Sequence, residues 1–159
     1  MKLDSDPACL DPVWPADPIF PSAHEGRTVV LDTNIVLDLF VFKDPAANAL
    51  RLALQSGKIR WLATPAMRDE LARVLAYRHI TPRLAYYLLA ASDVLAQFDR
   101  HARIEPEAAR ASAICKDPDD QRFIDLAVFH GAILLSKDNA VLCMHKRLLA
   151  LGVIARSAI

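Results

Sequence analysis

Four acidic residues stand out by their neighbours: Asp32, Glu70, Asp120 and Asp138. Asp32 ends the apolar run Thr28-Val29-Val30-Leu31 and opens Asp32-Thr33-Asn34. Glu70 falls in Asp69-Glu70-Leu71, Asp120 in Asp117-Pro118-Asp119-Asp120, and Asp138 in Ser136-Lys137-Asp138. Carboxylates gathered at one point repel unless a hard cation sits among them. Magnesium and manganese take oxygen ligands and keep waters, which suits phosphodiester hydrolysis. Each acid also has a plainer reading. Asp32 and Asp138 fit helix N-caps. Glu70 fits a solvated helix face. Asp117, Asp119 and Asp120 supply the negative charge that a helix start favours. The fold decides between these readings by bringing the four together or keeping them apart.

The elements that must position them follow in order. Thr28 to Leu31 reads as a strand buried on both faces. Ile35 to Phe42 is a short apolar helix, and Asp44-Pro45 restarts a helix to about Leu54. Ile59 to Ala63 is a second strand. Thr64-Pro65 opens a helix with Met67, Leu71, Val74 and Leu75 on one face. Thr81-Pro82 starts a long helix to about Phe98. Ala102 to Glu105 is a weak third strand. Asp117-Pro118 begins a helix that stops near His130-Gly131, and Ala132 to Leu135 is a fourth strand. Asp138 to Leu151 is a helix, Gly152 stops it, and Val153 to Ala155 supplies a fifth strand.

This alternation predicts the α/β class, a three-layer α/β/α domain over 27–159 with a central parallel sheet of four to five strands. Right-handed crossovers put every strand's carboxyl end on one edge. An open parallel sheet holds its ligand outside that edge. Asp32 follows the first strand, Glu70 lies in the helix after the second, Asp120 in the first turn of its helix, and Asp138 after the fourth strand. The four therefore converge, with no Gly-rich loop to hold a nucleotide. Asp117 is the natural N-cap, with Pro118 at N1. Asp120 shares a stripe with Ile124 and Ala127, which points it toward the sheet.

The 159 residues suffice for one domain, and 53% are apolar, so the chain is not disordered by composition. A mean hydropathy of +0.19 points to a buried partner face. Net charge is zero but uneven. Residues 1–26 carry Asp4, Asp6, Asp11, Asp17 and Glu25 against Lys2, a balance of −4, and five of the ten prolines. They read as an extended, acidic, Pro-rich arm in which Trp14, Ile19 and Phe20 can pin to the domain or to a neighbouring subunit. Residues 27–159 carry +4, which permits a polyanionic substrate. Cys9, Cys115 and Cys143 form no CxxC or Cys/His pattern, which argues against a disulfide scaffold or structural zinc. The longest apolar run, Leu84 to Ala91, is too short to span a bilayer. The N-terminal residues lack the basic-then-apolar order of a signal peptide, so a cytoplasmic location is expected.

From about Arg27 to Ala155 the chain resembles the PIN domain, a family of metal-dependent ribonucleases, and in particular the VapC-like toxin components of bacterial toxin–antitoxin pairs. The residues that carry the resemblance are Leu31-Asp32-Thr33-Asn34, Asp69-Glu70-Leu71 with Val74-Leu75, Asp117-Pro118-Asp119-Asp120 before Phe123-Ile124, and Ser136-Lys137-Asp138. The resemblance implies that Asp32, Glu70, Asp120 and Asp138 hold Mg²⁺ or Mn²⁺, with Asp117 a candidate to replace or assist Asp120. Asn34 and Ser136 match supporting polar positions. The resemblance also implies an RNA substrate cut to 5′-phosphate and 3′-hydroxyl ends, and a cognate antitoxin. Lys137, Arg68, Arg73 and Arg122 are candidate contacts to the RNA. The apolar run Leu84 to Ala91, taken as a helix, suggests a homodimer. Two rival readings stand beside this one. A PIN-like binding module without turnover would not need all four acids. A phosphatase with an aspartyl nucleophile at Asp32 would want a second acid where Asn34 stands.

Overall fold

The computed structural model describes residues 27–159, so the arm expected over 1–26 lies outside the described residues. Strand β1 (Arg27–Leu31) is the middle of the sheet. It pairs in parallel with β2 (Ile59–Ala63) on one side and β4 (Ile133–Leu135) on the other. Strand β3 (Ala102–Ile104) lies beyond β2, and β5 (Ala155–Arg156) beyond β4, also in parallel. The order is β3-β2-β1-β4-β5. Val29 and Val30 are fully buried, as a strand covered on both faces requires.

Helices α1 (Thr33–Phe40) and α2 (Asn48–Gln55) connect β1 to β2. Helices α3 (Pro65–Leu75), α4 (Thr81–Tyr86) and α5 (Ala91–His101) connect β2 to β3. The return to β4 runs through an irregular stretch, a 3₁₀ turn at Pro118–Asp120 and helix α6 (Gln121–His130). Helices α7 (Asn139–Leu142) and α8 (His145–Ala150) lead to β5. The crossovers travel one way from β1 to β3 and the other way from β3 to β5. Right-handed connections then place α1–α5 on one face and α6–α8 on the other. The three layers expected from the sequence are present. The direction reverses between β1 and β4, and such a switch point opens a crevice at the carboxyl edge.

The core fills both faces. Trp61 is buried edge-on against Phe98, with ring centroids 5.0 Å apart, and lies 6.1 Å from Phe40. Met67, Leu71 and Leu75 bury the inner face of α3. On α6, Ile124 and Ala127 are fully buried, and the helix packs on β1 and β4.

Two helices differ from expectation. The single helix expected over 81–98 is two. Leu88 takes a left-handed φ of 58°, and the Ala90 amide donates to Asp93 Oδ2 at 2.8 Å. That side chain caps a new helix, so apolar continuity does not mean helical continuity here. Leu84 is consequently buried while Tyr86 and Leu88 are exposed, and the run is not one apolar helix face. The helix expected over 138–151 is also two, interrupted at Cys143 and Met144. The fifth strand falls at Ala155–Arg156 rather than 153–155. Among the described residues no helix is long and apolar enough to cross a membrane.

Candidate active site

Asp32 stands at the switch point. Its amide extends the β1–β4 ladder by donating to the Leu135 carbonyl at 3.0 Å. Its carboxylate caps α1, with Oδ1 accepting from the Asn34 amide at 2.8 Å. Oδ2 accepts from the Ser136 hydroxyl at 2.6 Å. The cap and the inward-facing acid are thus one side chain, with an oxygen for each task. Burial pushes the Asp32 carboxyl above its ordinary 3.8; Ser136 and Asn34 pull it back, and Asp138 and Glu70 add to the rise.

Asp117, Asp120 and Asp138 each bring a carboxylate oxygen within 4.8 Å of the others. Asp117 caps the 3₁₀ turn, with Oδ1 accepting from the Asp119 amide at 3.0 Å. Asp138 caps α7 through the Ala140 amide at 2.9 Å, and its own amide donates to Ser136 Oγ at 3.0 Å. Asp120 is buried and caps nothing; its Oδ2 has no hydrogen-bond partner. Burial first, then the Asp138 carboxyl against it, push Asp120 up to about 8. Asp32 and Asp117 push it in the same direction. A buried acid oxygen without a donor, facing two further carboxylates, is a donor set suited to a hard divalent cation.

Glu70 reaches the site from α3. Its Oε2 accepts from the Thr33 hydroxyl at 2.5 Å, and Arg122 Nη1 lies 3.5 Å from Oε1. Glu70 is near enough to Asp32 to raise it, and both Asp32 and Glu70 lie outside the three-carboxylate group. Asn34 is exposed and contributes its backbone amide to Asp32. Arg122 also donates to the Ala66 carbonyl at 3.3 Å. Lys137 pairs with Asp38 Oδ2 at 2.5 Å, and Arg68 grips both oxygens of Asp99 at 2.7 and 2.8 Å. Arg73 is exposed in the last turn of α3.

Two supporting residues escaped the sequence reading. Thr33 holds Glu70, and only its adjacency to Asp32 hinted at a role. Gln121 is buried and ties down the irregular stretch before Asp117. Its Oε1 accepts from the Cys115 amide at 2.7 Å, and its Nε2 donates to the Ala113 carbonyl at 3.0 Å and to Asp125 at 2.8 Å. No local sequence signal marks it.

Residues 28–140 match the family model described as PIN domain. No curated protein matches the sequence. Among solved structures, the fold is similar to that of VapBC2 from Rickettsia felis bound to a DNA fragment from their promoter. The TM-score is 0.55 at 15% identity, covering 80% of this chain and 98% of that one. At that identity the likeness is one of fold.

Proposed function

The chain belongs to the PIN domain family, and on that premise we propose that it is a divalent-metal-dependent endoribonuclease, the toxin of a toxin–antitoxin pair. One observation carries the reading: the buried, unpartnered oxygen of Asp120 facing Asp117 and Asp138 at the switch point. Asp32, Asp120 and Asp138, with Asp117 beside them and Glu70 at the rim, would hold the Mg²⁺ or Mn²⁺. Held there, such an ion would supply a Lewis acid for the scissile phosphate and would lower the pKa of a water to be used as nucleophile.

The chain's own residues set up that chemistry. Ser136 fixes the orientation of Asp32 and the start of α7 that carries Asp138. Thr33 and Arg122 hold Glu70. Of the four basic candidates, Arg68 and Lys137 are tied to Asp99 and Asp38. Arg122 also pairs with an acid, but that acid is Glu70 itself at the rim of the site, so Arg122 is the cation we assign to the phosphate backbone. Single-stranded or looped RNA suits the open sheet edge, because its base edges are reachable. The VapBC2 structure supports an antitoxin partner. The exposed Tyr86 and Leu88 at the turn between α4 and α5 offer apolar surface for a homodimer, and a cytoplasmic location completes the reading.

The test is a metal titration on the purified chain with single-stranded RNA. Cleavage that requires Mn²⁺ or Mg²⁺, stops in EDTA and is lost in D32N and D120N supports the nuclease. Release of free phosphate from a monoester without RNA cleavage would replace it with a phosphatase. RNA binding without cleavage at any metal concentration would replace it with a binding module.

A further inference from the structure

A cavity of about 220 Å³ opens away from the carboxylates. It is walled by Leu39 and Phe40 at the end of α1, Gln55 at the end of α2 and His101 at the end of α5. Helices in such a fold run against their strands, so these ends lie at the amino edge of the sheet, opposite the acidic site. The volume is below the roughly 300–1,000 Å³ of small-molecule pockets. It suits one or two side chains better than a cofactor. Its wall is apolar at Leu39, Phe40, Leu89 and Val94, basic at Lys43 and Arg51, and acidic at Asp93 alone, whose Oδ2 already accepts from the Ala90 amide. Neutral groups hold Arg51 in place, Asn48 Oδ1 at 2.6 Å and the Leu39 carbonyl at 2.9 Å.

The chain supplies a segment of matching chemistry at the same edge. Residues 1–26 join the fold at Arg27, whose amide donates to the Lys58 carbonyl at 2.9 Å. Gln55, in the cavity wall, is three residues before Lys58. Phe20 is seven residues before Arg27, a span of up to about 25 Å when extended. The stretch Asp17-Pro18-Ile19-Phe20 joins two large apolar side chains to an acid, within an arm of net −4. The acidic cluster at the far edge would repel that arm, and Lys43 and Arg51 would attract it.

We propose that this cavity is the docking site of the chain's own N-terminal arm, with Ile19 and Phe20 filling its apolar wall and Asp17 facing Lys43 and Arg51. The arm then covers apolar surface that a partner protein would otherwise reach, and a partner for this face must displace it.

The experiment compares amide hydrogen exchange over residues 39–43, 51–55 and 93–101 in the full chain and in I19D/F20D. Both substitutions precede the first strand, and an unchanged circular dichroism spectrum checks that the fold is intact. Exchange at least fivefold faster in the variant is expected, independent of protein concentration. Lys43→Glu should also speed exchange, and Asp17→Lys added to it should restore protection. Equal exchange in the wild type and I19D/F20D would overturn the proposal. So would protection that grows with protein concentration, which would assign the cavity to a second copy. Failure of the charge swap to restore protection would remove the pairing of Asp17 with this wall.

Discussion

The Ser136 hydroxyl donates to Asp32 Oδ2 at 2.6 Å, joining residues 104 positions apart. The contact follows from register: Leu31 is paired with Leu135, so the next residue on each strand meets at the carboxyl edge. The same oxygen of Ser136 accepts from the Asp138 amide at 3.0 Å. One buried hydroxyl therefore orients the acid that follows β1 and the helix start that carries a second.

Ser136→Ala leaves Asp32 Oδ2 without its donor and the Asp138 amide without its acceptor in a fully buried spot. An unmade buried hydrogen bond costs about 1–3 kcal/mol, and each kcal/mol lowers the melting temperature of a domain this size by roughly 2–4 °C. A drop of several degrees and at least tenfold slower RNA cleavage are expected. A thermal melt beside a cleavage assay checks both, and a wild-type melt would remove the hydroxyl's structural role.

The acidic cluster should impose a pH dependence on the metal-free chain. Asp120 is raised from 3.8 to about 8 in the folded state. Between those values the folded chain holds a proton that the unfolded chain has released. Stability then falls as pH rises through this window, and the loss is complete above about 8. In EDTA, the wild type should melt progressively lower than D120N as pH goes from 5 to 8.5. Asp32 is raised in the same direction, so D120N keeps part of the slope. Equal slopes for the two proteins would place the proton elsewhere.

The strands and the acids were legible because each carries a local signal. Val29, Val30 and Leu31 form an apolar run, Asp32 follows β1 directly, and Asp138 comes three residues after the end of β4. The strand order was not legible, and with it the reversal between β1 and β4 that puts Asp32 beside Ser136. That order depends on packing of helices far apart in sequence. The break at Leu88 was missed because a left-handed leucine is a cost accepted by the surrounding turn and carries no residue signature. Gln121 was missed for a similar reason: its buried amide serves the backbone of residues 113 and 115, and backbone has no sequence identity to match.

Thr33 should act through Glu70. Its hydroxyl donates to Glu70 Oε2 at 2.5 Å, so Thr33→Val leaves that carboxylate with Arg122 alone. The bond involves a charged group, but Glu70 retains some solvent contact, so a loss of about 1 kcal/mol is expected. Cleavage should fall more than stability does, because Glu70 loses its orientation. Thr33→Ser should recover both. A Ser variant as slow as Val would mean that packing, not the hydroxyl, is what Thr33 provides.

Leu88 offers a test of the turn between α4 and α5. It is 91% exposed with φ of 58°. The left-handed region costs a non-glycine residue about 1–2 kcal/mol, and glycine's extra unfolded-state entropy returns about 0.5–1 kcal/mol of that. Leu88→Gly should raise the melting temperature by a degree or two. A fall would show that the leucine side chain makes contacts that outweigh its backbone strain.

Asp117 and Asp120 should separate when each is replaced by alanine. Asp117 spends Oδ1 on the Asp119 amide, and its removal costs a cap, about 1 kcal/mol. It also lies within 4.8 Å of Asp120 and Asp138, so its loss should weaken Mn²⁺ binding modestly. Asp120 caps nothing, and its buried Oδ2 has no donor. Without metal that carboxylate is a liability, since burial and three neighbouring acids all oppose its charge. Asp120→Ala should therefore raise the melting temperature in EDTA at pH 8 and reduce Mn²⁺ affinity at least tenfold more than Asp117→Ala does. Calorimetric Mn²⁺ titration of both variants, beside their melting curves, reads the two effects independently of RNA cleavage. If Asp117→Ala loses the ion while Asp120→Ala keeps it, the roles of the two acids are exchanged.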